Sequence, residues 1–386
     1  GRWVGEEGDV LLPLYQGAMI RQHDPFFKGW VPNADGKVGW NIESWEEKRW
    51  SPKYLLRREE YTRSDKAMRG LKVGFRDIAR STDERTAIAS IVPDMPCGNV
   101  VGVLQAGTAA VEGIDAVMNS VAFDFTARVR ISGTHMNYYV VEELPLPPPQ
   151  DADIPAEIST SLAKTHVRFA PWWKAQGAAS WRRLWAITPH ERLRLRCMLD
   201  AIVAVLYGLE REDFAWILKD CDHPKARLGE KSFCRRLDPK GFWRADKDQD
   251  PELRHTVLSL AAFDDLAIAA ARDRDAGIQA FCDQHDGDGW MLPETLRLAD
   301  LGLTRTIDVG DYDARARSPQ PVRSRLGERF LDWQLAQSPA ESWAECEQHA
   351  NVLLEVVPGD PVEEPRAAVP VTAQQSLFGP DAGRES

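Results

Sequence analysis

The spacing of apolar and polar residues changes several times along this chain. Residues 72–78 (KVGFRDI) and 88–92 (IASIV) are short β-compatible runs with a polar turn between them, which predicts strand, turn, strand, closed by Pro93. Residues 54–62 (YLLRREEYT) and 100–104 (VVGVL) read as two further strands. From Ile114 the period lengthens. Ile114, Val117, Met118, Val121 and Phe125 share one helical face, so a single helix is expected over 114–130, stopped near Ser132-Gly133. Residues 138–141 then read as a strand again.

Residues 144–149 (LPLPPP) form a polyproline stretch that cannot join a sheet interior, and a domain boundary is expected near residue 150. Beyond it, residues 156–220 look helical. Leu193, Leu195, Met198, Leu199, Ile202, Val203 and Leu206 make a strong apolar face, ended by the Tyr207-Gly208 cap. A further helical pattern covers residues 251–281. The signal fades after residue 305, and the last twenty-odd residues, rich in Pro, Glu and Ala, read as disordered. The fold expected is α+β: a mixed, strand-rich domain over 1–150, a mainly helical domain over 151–305, and a loosely ordered acidic tail over 306–386.

Charge changes this picture only when it is divided. The 386 residues carry 48 Lys and Arg against 59 Asp and Glu, a net charge of −11, which at first opposes DNA. Residues 1–240, however, hold 34 basic and 32 acidic side chains, and residues 241–386 hold 14 and 27. Residues 48–85 contain 12 basic against 6 acidic, and residues 161–196 contain 8 against 1. Phosphate binding answers to the local patch, so any DNA is expected against the first half. No window approaches ~18 consecutive apolar residues, and no membrane span is expected. The opening GRWVGEEGDV has no signal-peptide pattern and no initiator Met, as if cut from something larger. Cys97, Cys197, Cys221, Cys234, Cys282 and Cys346 form no CxxC pair, which points to reduced thiols in a cytoplasmic protein.

Catalytic patterns are incomplete. There is no Gly-rich phosphate loop, no GxSxG elbow and no HExxH. Asp24-Pro25-Phe26-Phe27 is the nearest match to the Asn/Asp-Pro-Pro-aromatic loop that holds a base amine in amino-methyltransferases, but it has one Pro and no preceding Gly-rich loop. Asp94 follows Pro93 as in a nuclease site, without a suitable ExK after it. Cys221, His223 and Cys234 lack an evident fourth zinc ligand. In DQHDGDGWMLPE (283–294), Glu294 fits the last position of a calcium loop, but Gly287 and Asp288 stand in the wrong order. No catalytic residue and no metal ligand are therefore assigned.

Binding chemistry is better represented. Sequence-specific DNA binding needs Lys or Arg for phosphates and Arg, Asn, Gln, Glu or Ser/Thr for base edges. Arg76, Arg80, Thr82, Glu84, Arg85 and Thr86 supply that mix. So do Arg128, Arg130, Ser132, Thr134, His135 and Asn137, which surround Gly133. Ordinary surface ion pairs and turn caps would use the same residues.

Five blocks occur in order: LYQGAMIRQHD (14–24), SPKYLLRREEY (51–61), RDIARSTDERTAIASIVP (76–93), NSVAFDFTARVRISGTHMNYYVVEELPLPPP (119–149) and RLRCMLDAIVAVLYGL (194–209). This series resembles the part after the methyltransferase domain in large adenine-specific DNA methylases. These include Type IIG restriction–modification enzymes and the methylases of BREX and DISARM phage-defence systems. The resemblance covers about residues 10–300, with RDIARSTDERT and RISGTHMNYY its most specific blocks. It implies a target-recognition region over 1–150 that grips duplex DNA while a methylase domain flips out an adenine and methylates it from S-adenosylmethionine. Carried over, the DNA-facing candidates are Arg76, Arg80, Thr82, Arg85, Arg128, Thr134 and Asn137; for Arg85 a structural ion pair is an equal alternative. The S-adenosylmethionine loop and Asn-Pro-Pro-aromatic motif are absent from these 386 residues, so the methylase domain is expected elsewhere, in cis or in trans.

Gln374-Gln375-Ser376-Leu377-Phe378 resembles the short peptides that dock on the bacterial sliding clamp, with Gln374, Leu377 and Phe378 as its contacts. Two other readings compete with DNA recognition. One is a helical scaffold within a defence complex, which the 14 Trp residues, Trp172-Trp173 among them, would also suit. The other is a metal-dependent nuclease.

Overall fold

Alternation fails in β6 (Lys72–Arg76), where Lys72 to Phe75 are all buried, as befits a middle strand covered on both faces. In the computed structural model β6 is the centre of an antiparallel sheet, flanked by β7 (Ala89–Val92) and β8 (Val101–Leu104). Phe75 lies opposite Ala89 on one side and Gly102 on the other. A Cβ on Gly102 would collide with the Phe75 ring, so glycine here admits the aromatic. The structure describes residues 3–5, 8–45, 48–64, 68–105, 108–148, 151, 153–177, 180–293, 295–296 and 320–356.

Two smaller antiparallel units precede this sheet. One joins β1 (Trp3–Val4), β2 (Val10–Pro13) and β5 (Leu55–Arg57); the other is the hairpin of β3 (Lys28–Pro32) and β4 (Val38–Ile42). The strand expected over 54–62 is therefore only half a strand. It passes into helix α1 (Arg58–Arg63), where Glu59 and Glu60 favour the positive end of the helix dipole and only Tyr61 turns inward.

The helix expected over 114–130 is two helices, α2 (Thr108–Met118) and α3 (Val121–Arg130). The break has a local cause. Ser120 caps α3, its Oγ accepting from the Phe123 N–H at 3.1 Å. Asn119 leaves the helical path to act as a strand mimic on β7. Its Oδ1 accepts from the Ala89 N–H at 3.1 Å and its Nδ2 donates to the Ala89 carbonyl at 3.0 Å. The strand expected over 138–141 is instead helix α4 (Tyr138–Glu142). Val140 alone is buried there, while Tyr138 and Tyr139 face outward, a helical rather than an alternating pattern.

The second half is helical, as expected: α5 (Asp153–Ala163), α6 (Ala170–Gln176), α7 (Pro189–Leu206), α8 (Arg211–Ile217), α9 (Lys225–Leu228), α10 (Lys231–Cys234), α11 (His255–Ala270) and α12 (Arg274–Cys282). Thr188 caps α7, which has Pro189 in its first turn, and Gly208 takes the left-handed φ of 71° just past its end. α7 packs along α11, and α2 packs along α5. The second contact matters for organisation: one buried apolar cluster runs from Leu12 to Ala350 and crosses the proline stretch without a gap.

The loosely ordered tail expected over 306–386 needs correction in its middle. Residues 320–356 include a helix, Pro339–Val356, that lies on α6 with Cys346 and Ala350 fully buried. Its apolar positions are few and separated by Glu and Gln, so the amphipathic signal is weak in the sequence. Gln374, Leu377 and Phe378 lie outside the described residues. Among those described, no helix is long and apolar enough to cross a membrane. The architecture is α+β.

Candidate nucleic-acid interface

β6 delivers the chain to Arg76, and residues 77–82 then run outward before returning to β7. The end of α3 delivers residues 132–137 to the same place. Ala79 and Met136, both buried, pin the two segments down, and the backbone ties them together. The Ala79 N–H donates to the Thr134 carbonyl at 3.0 Å, and the Met136 N–H to the Asp77 carbonyl at 2.7 Å, framing an antiparallel bridge between Ile78 and His135. Asp77 Oδ2 and His135 Nδ1 add a side-chain contact at 2.8 Å. The blocks RDIARSTDERT and RISGTHMNYY, about 50 residues apart in the chain, thus form one surface.

Four of the seven sequence candidates stand on it: Arg80, Thr82, Thr134 and Asn137 are exposed. Arg80 has no ion-pair partner among the described residues. Arg76 is half-buried at its inner edge. Burial, and then the neighbouring Arg21, hold its guanidinium below the usual arginine range. Arg21 itself pairs with Glu84 at 3.5 Å, and the charge of Asp83 acts on Arg76 in the opposite direction.

Arg128 is a correction, and for Arg85 the structure takes the ion-pair alternative. Both are buried, and both serve one carboxylate. Arg85 Nε lies 2.8 Å from Asp124 Oδ2, and Arg128 Nε 2.8 Å from Asp124 Oδ1. The Thr86 N–H also donates to Asp124, at 3.1 Å. Arg128 donates further to the carbonyls of Glu84 (2.6 Å), Lys240 (2.9 Å) and Gly241 (3.2 Å), and its guanidinium lies 3.9 Å from the Phe242 ring centroid. Arg85 donates to the Asn119 carbonyl. These arginines rivet the base of the interface loops to α3 and to residues 240–242. Desolvation makes a buried guanidinium without a carboxylate very costly, which is why Asp124 sits between them. The i, i+4 spacing of Asp124 and Arg128 on an apolar helix was the available signal.

The tertiary structure also brings in groups the sequence did not single out. Tyr138 and Tyr139 are exposed beside Asn137. Tyr138 is held by the Val103 N–H, which donates to its hydroxyl at 2.8 Å, and by an edge contact with Phe75. Lys240 reaches the back of the same corner and donates to the Arg128 carbonyl at 3.1 Å.

The motifs considered for catalysis serve the core. Asp24 pairs with Lys48 at 2.6 Å and caps the Phe26 N–H at 3.0 Å, while Phe26 stacks on His166. Asp94 accepts from the Tyr61 hydroxyl at 2.7 Å. His223 packs edge-on against Phe233, and the Cys234 thiol turns to the Leu228 carbonyl. Arg194 ties the Asp288 and Trp290 carbonyls in the former calcium candidate; Glu294 lies outside the described residues. Among the described residues no group of three or more His, Cys, Asp or Glu could hold a metal ion.

No family model, curated protein or solved structure matches this chain.

Proposed function

We propose that this chain is the DNA-recognition part of an adenine-specific DNA methylase of a restriction–modification or phage-defence system. In this reading the surface of Arg80, Thr82, Thr134 and Asn137, with Arg76 at its edge, meets duplex DNA. Arg80 and Arg76 face phosphates, and the hydroxyl and amide groups reach base edges. A methylase domain, in cis or in trans, flips out the adenine and supplies S-adenosylmethionine. The residues described hold structural ion pairs where the sequence offered catalytic ones, which suits a recognition role. The peptide Gln374–Phe378 would tether the complex to a sliding clamp.

One observation supports this reading above the others. The two blocks that most specifically resemble methylase recognition regions are hydrogen-bonded to each other, from Asp77 to Met136 and from Ala79 to Thr134, and together they present an arginine, Arg80, without a carboxylate partner among the described residues.

The test is duplex binding by fluorescence anisotropy across a salt series. The expected result is binding that weakens steeply with salt and falls on Arg80→Ala. A protein that ignores DNA but captures a methylase polypeptide would replace this reading with the scaffold one. Magnesium-dependent plasmid cleavage would replace it with the nuclease one.

A further inference from the structure

A cavity of about 640 Å³ opens beside the interface, between β6, β8, α1 and the start of α4. Its size falls within the range of small-molecule sites, roughly 300–1,000 Å³. Its floor is chemically unusual. Lys72 is 2 % exposed; among the described residues its amine donates to neutral oxygens, the Tyr61 hydroxyl at 2.9 Å and the Met68 carbonyl at 2.6 Å, and burial holds it below the usual lysine range. No carboxylate lies within ion-pair distance of it among the described residues. Asp94, whose charge acts on Lys72, is engaged by the Tyr61 hydroxyl at 2.7 Å and by Arg69 at 3.3 Å. Lys72 and Arg69 therefore share one negative charge. The Cys97 thiol also lines the cavity, but burial pushes it up to about 11, so no thiolate balances the lysine.

A buried lysine with no carboxylate of its own, lining a cavity, is a place for an anion, which would hold the amine protonated. The walls say what the anion is attached to. Phe75 and Tyr138 present aromatic surface, Met136 and Val103 are apolar, and the amide of Asn137 stands at the rim with both a donor and an acceptor. Two carboxylates also line the cavity; Asp77 is committed to His135 and Glu60 to Arg57. Flat apolar walls, a bifunctional polar rim and a cationic floor together suit a planar heterocycle carrying an anionic group.

We propose that this cavity binds a single nucleotide, its phosphate at Lys72 and its base between the aromatic wall and the Asn137 amide. The nucleotide comes either from solution or from an unpaired position in bound DNA. The second source rests on the DNA-recognition reading; the first does not.

Isothermal titration of the full chain with mononucleotides, the matching nucleosides and inorganic phosphate tests the pocket alone. Anisotropy with a duplex carrying one unpaired nucleotide, against a fully paired duplex, tests the DNA source. Mononucleotides should saturate one site, and nucleosides should bind at least about tenfold more weakly. Lys72→Met should erase that difference. Asn137→Ala changes an exposed rim residue, should leave the melting temperature unchanged and should weaken nucleotide binding about tenfold. If only the unpaired-nucleotide duplex binds more tightly than the paired one, and Asn137→Ala abolishes the gain, the nucleotide is one of the DNA. No saturation by any mononucleotide together with no preference for the unpaired duplex overturns the proposal, as does binding that neither variant changes. Paired-duplex binding that depends on Arg80, with mononucleotide binding and any unpaired-duplex preference unchanged by Lys72→Met, removes the pocket and leaves DNA recognition standing. Nucleotide binding without duplex binding does the reverse.

Discussion

Arg128 lies one helical turn from Asp124, its Nε 2.8 Å from the Asp124 Oδ1, with both side chains sealed from solvent. Arg85 completes the arrangement from the opposite side. Removing Arg128 leaves the Asp124–Arg85 pair intact but strips the Glu84, Lys240 and Gly241 carbonyls of their donor and the Phe242 ring of its cation. Arg128→Ala should therefore destabilise the protein by about 1–3 kcal/mol, seen as a lower urea midpoint. An exposed DNA contact would instead leave stability unchanged and alter only binding, so a near-zero change in midpoint would refute the structural assignment.

Arg80 should behave in the opposite way. Arg80→Ala should leave the urea midpoint where it is, lower duplex affinity about equally for all sequences, and reduce the salt dependence by about one unit of slope. Thr134 and Asn137 carry no charge. Their alanine variants should change which sequences are preferred while keeping the slope. Competition with a randomised duplex pool separates the two behaviours.

Asp222 predicts a pH dependence. Its carboxylate is fully buried, and among the described residues neither oxygen has a hydrogen-bond partner. Desolvation raises its pKa to about 6, against the lowering influence of His223 and Arg254. The folded state thus prefers the protonated acid. Below the unfolded value, near 4, both states are protonated and nothing is lost. As pH rises from there to about 6, the folded state must either hold its proton or ionise in the interior, and stability falls. Asp222→Asn should be more stable than the parent at pH 7, by up to about 3 kcal/mol, and no more stable at pH 4. Thermal melts at the two values measure this. Equal differences at both would rule out titration as the cause.

Gly102 is the simplest packing test. Its missing side chain is the space that the Phe75 ring occupies. Gly102→Ala should cost about 1–3 kcal/mol by forcing the ring or the strand aside. Because Phe75 also walls the cavity, the same variant should weaken nucleotide binding. Unchanged stability would mean that the sheet adjusts freely there.

Local chemistry was readable without the fold. The strands around residues 72–76, 89–92 and 101–104, the apolar face of α7 with its Gly208 stop, and the α+β class all follow from short-range spacing and capping, which act within a few residues. Where the reading of the sequence went astray, a distant partner decided. Asn119 breaks a helix because Ala89 offers it a strand edge, and the Pro339–Val356 helix is ordered because α6 covers its sparse apolar positions.

The candidate site divides along the same line. Residue type alone put Arg76, Arg80, Arg85 and Arg128 in one class, since each is a guanidinium in a polar stretch. Only the tertiary structure separated them. It buried two against Asp124, left Arg80 in solvent, and set Lys72 against a cavity with no carboxylate in ion-pair reach among the described residues. A side chain's charge is written in the chain, but whether that charge is spent inside the protein or left for a ligand depends on which groups, far away in sequence, come within a few ångströms of it.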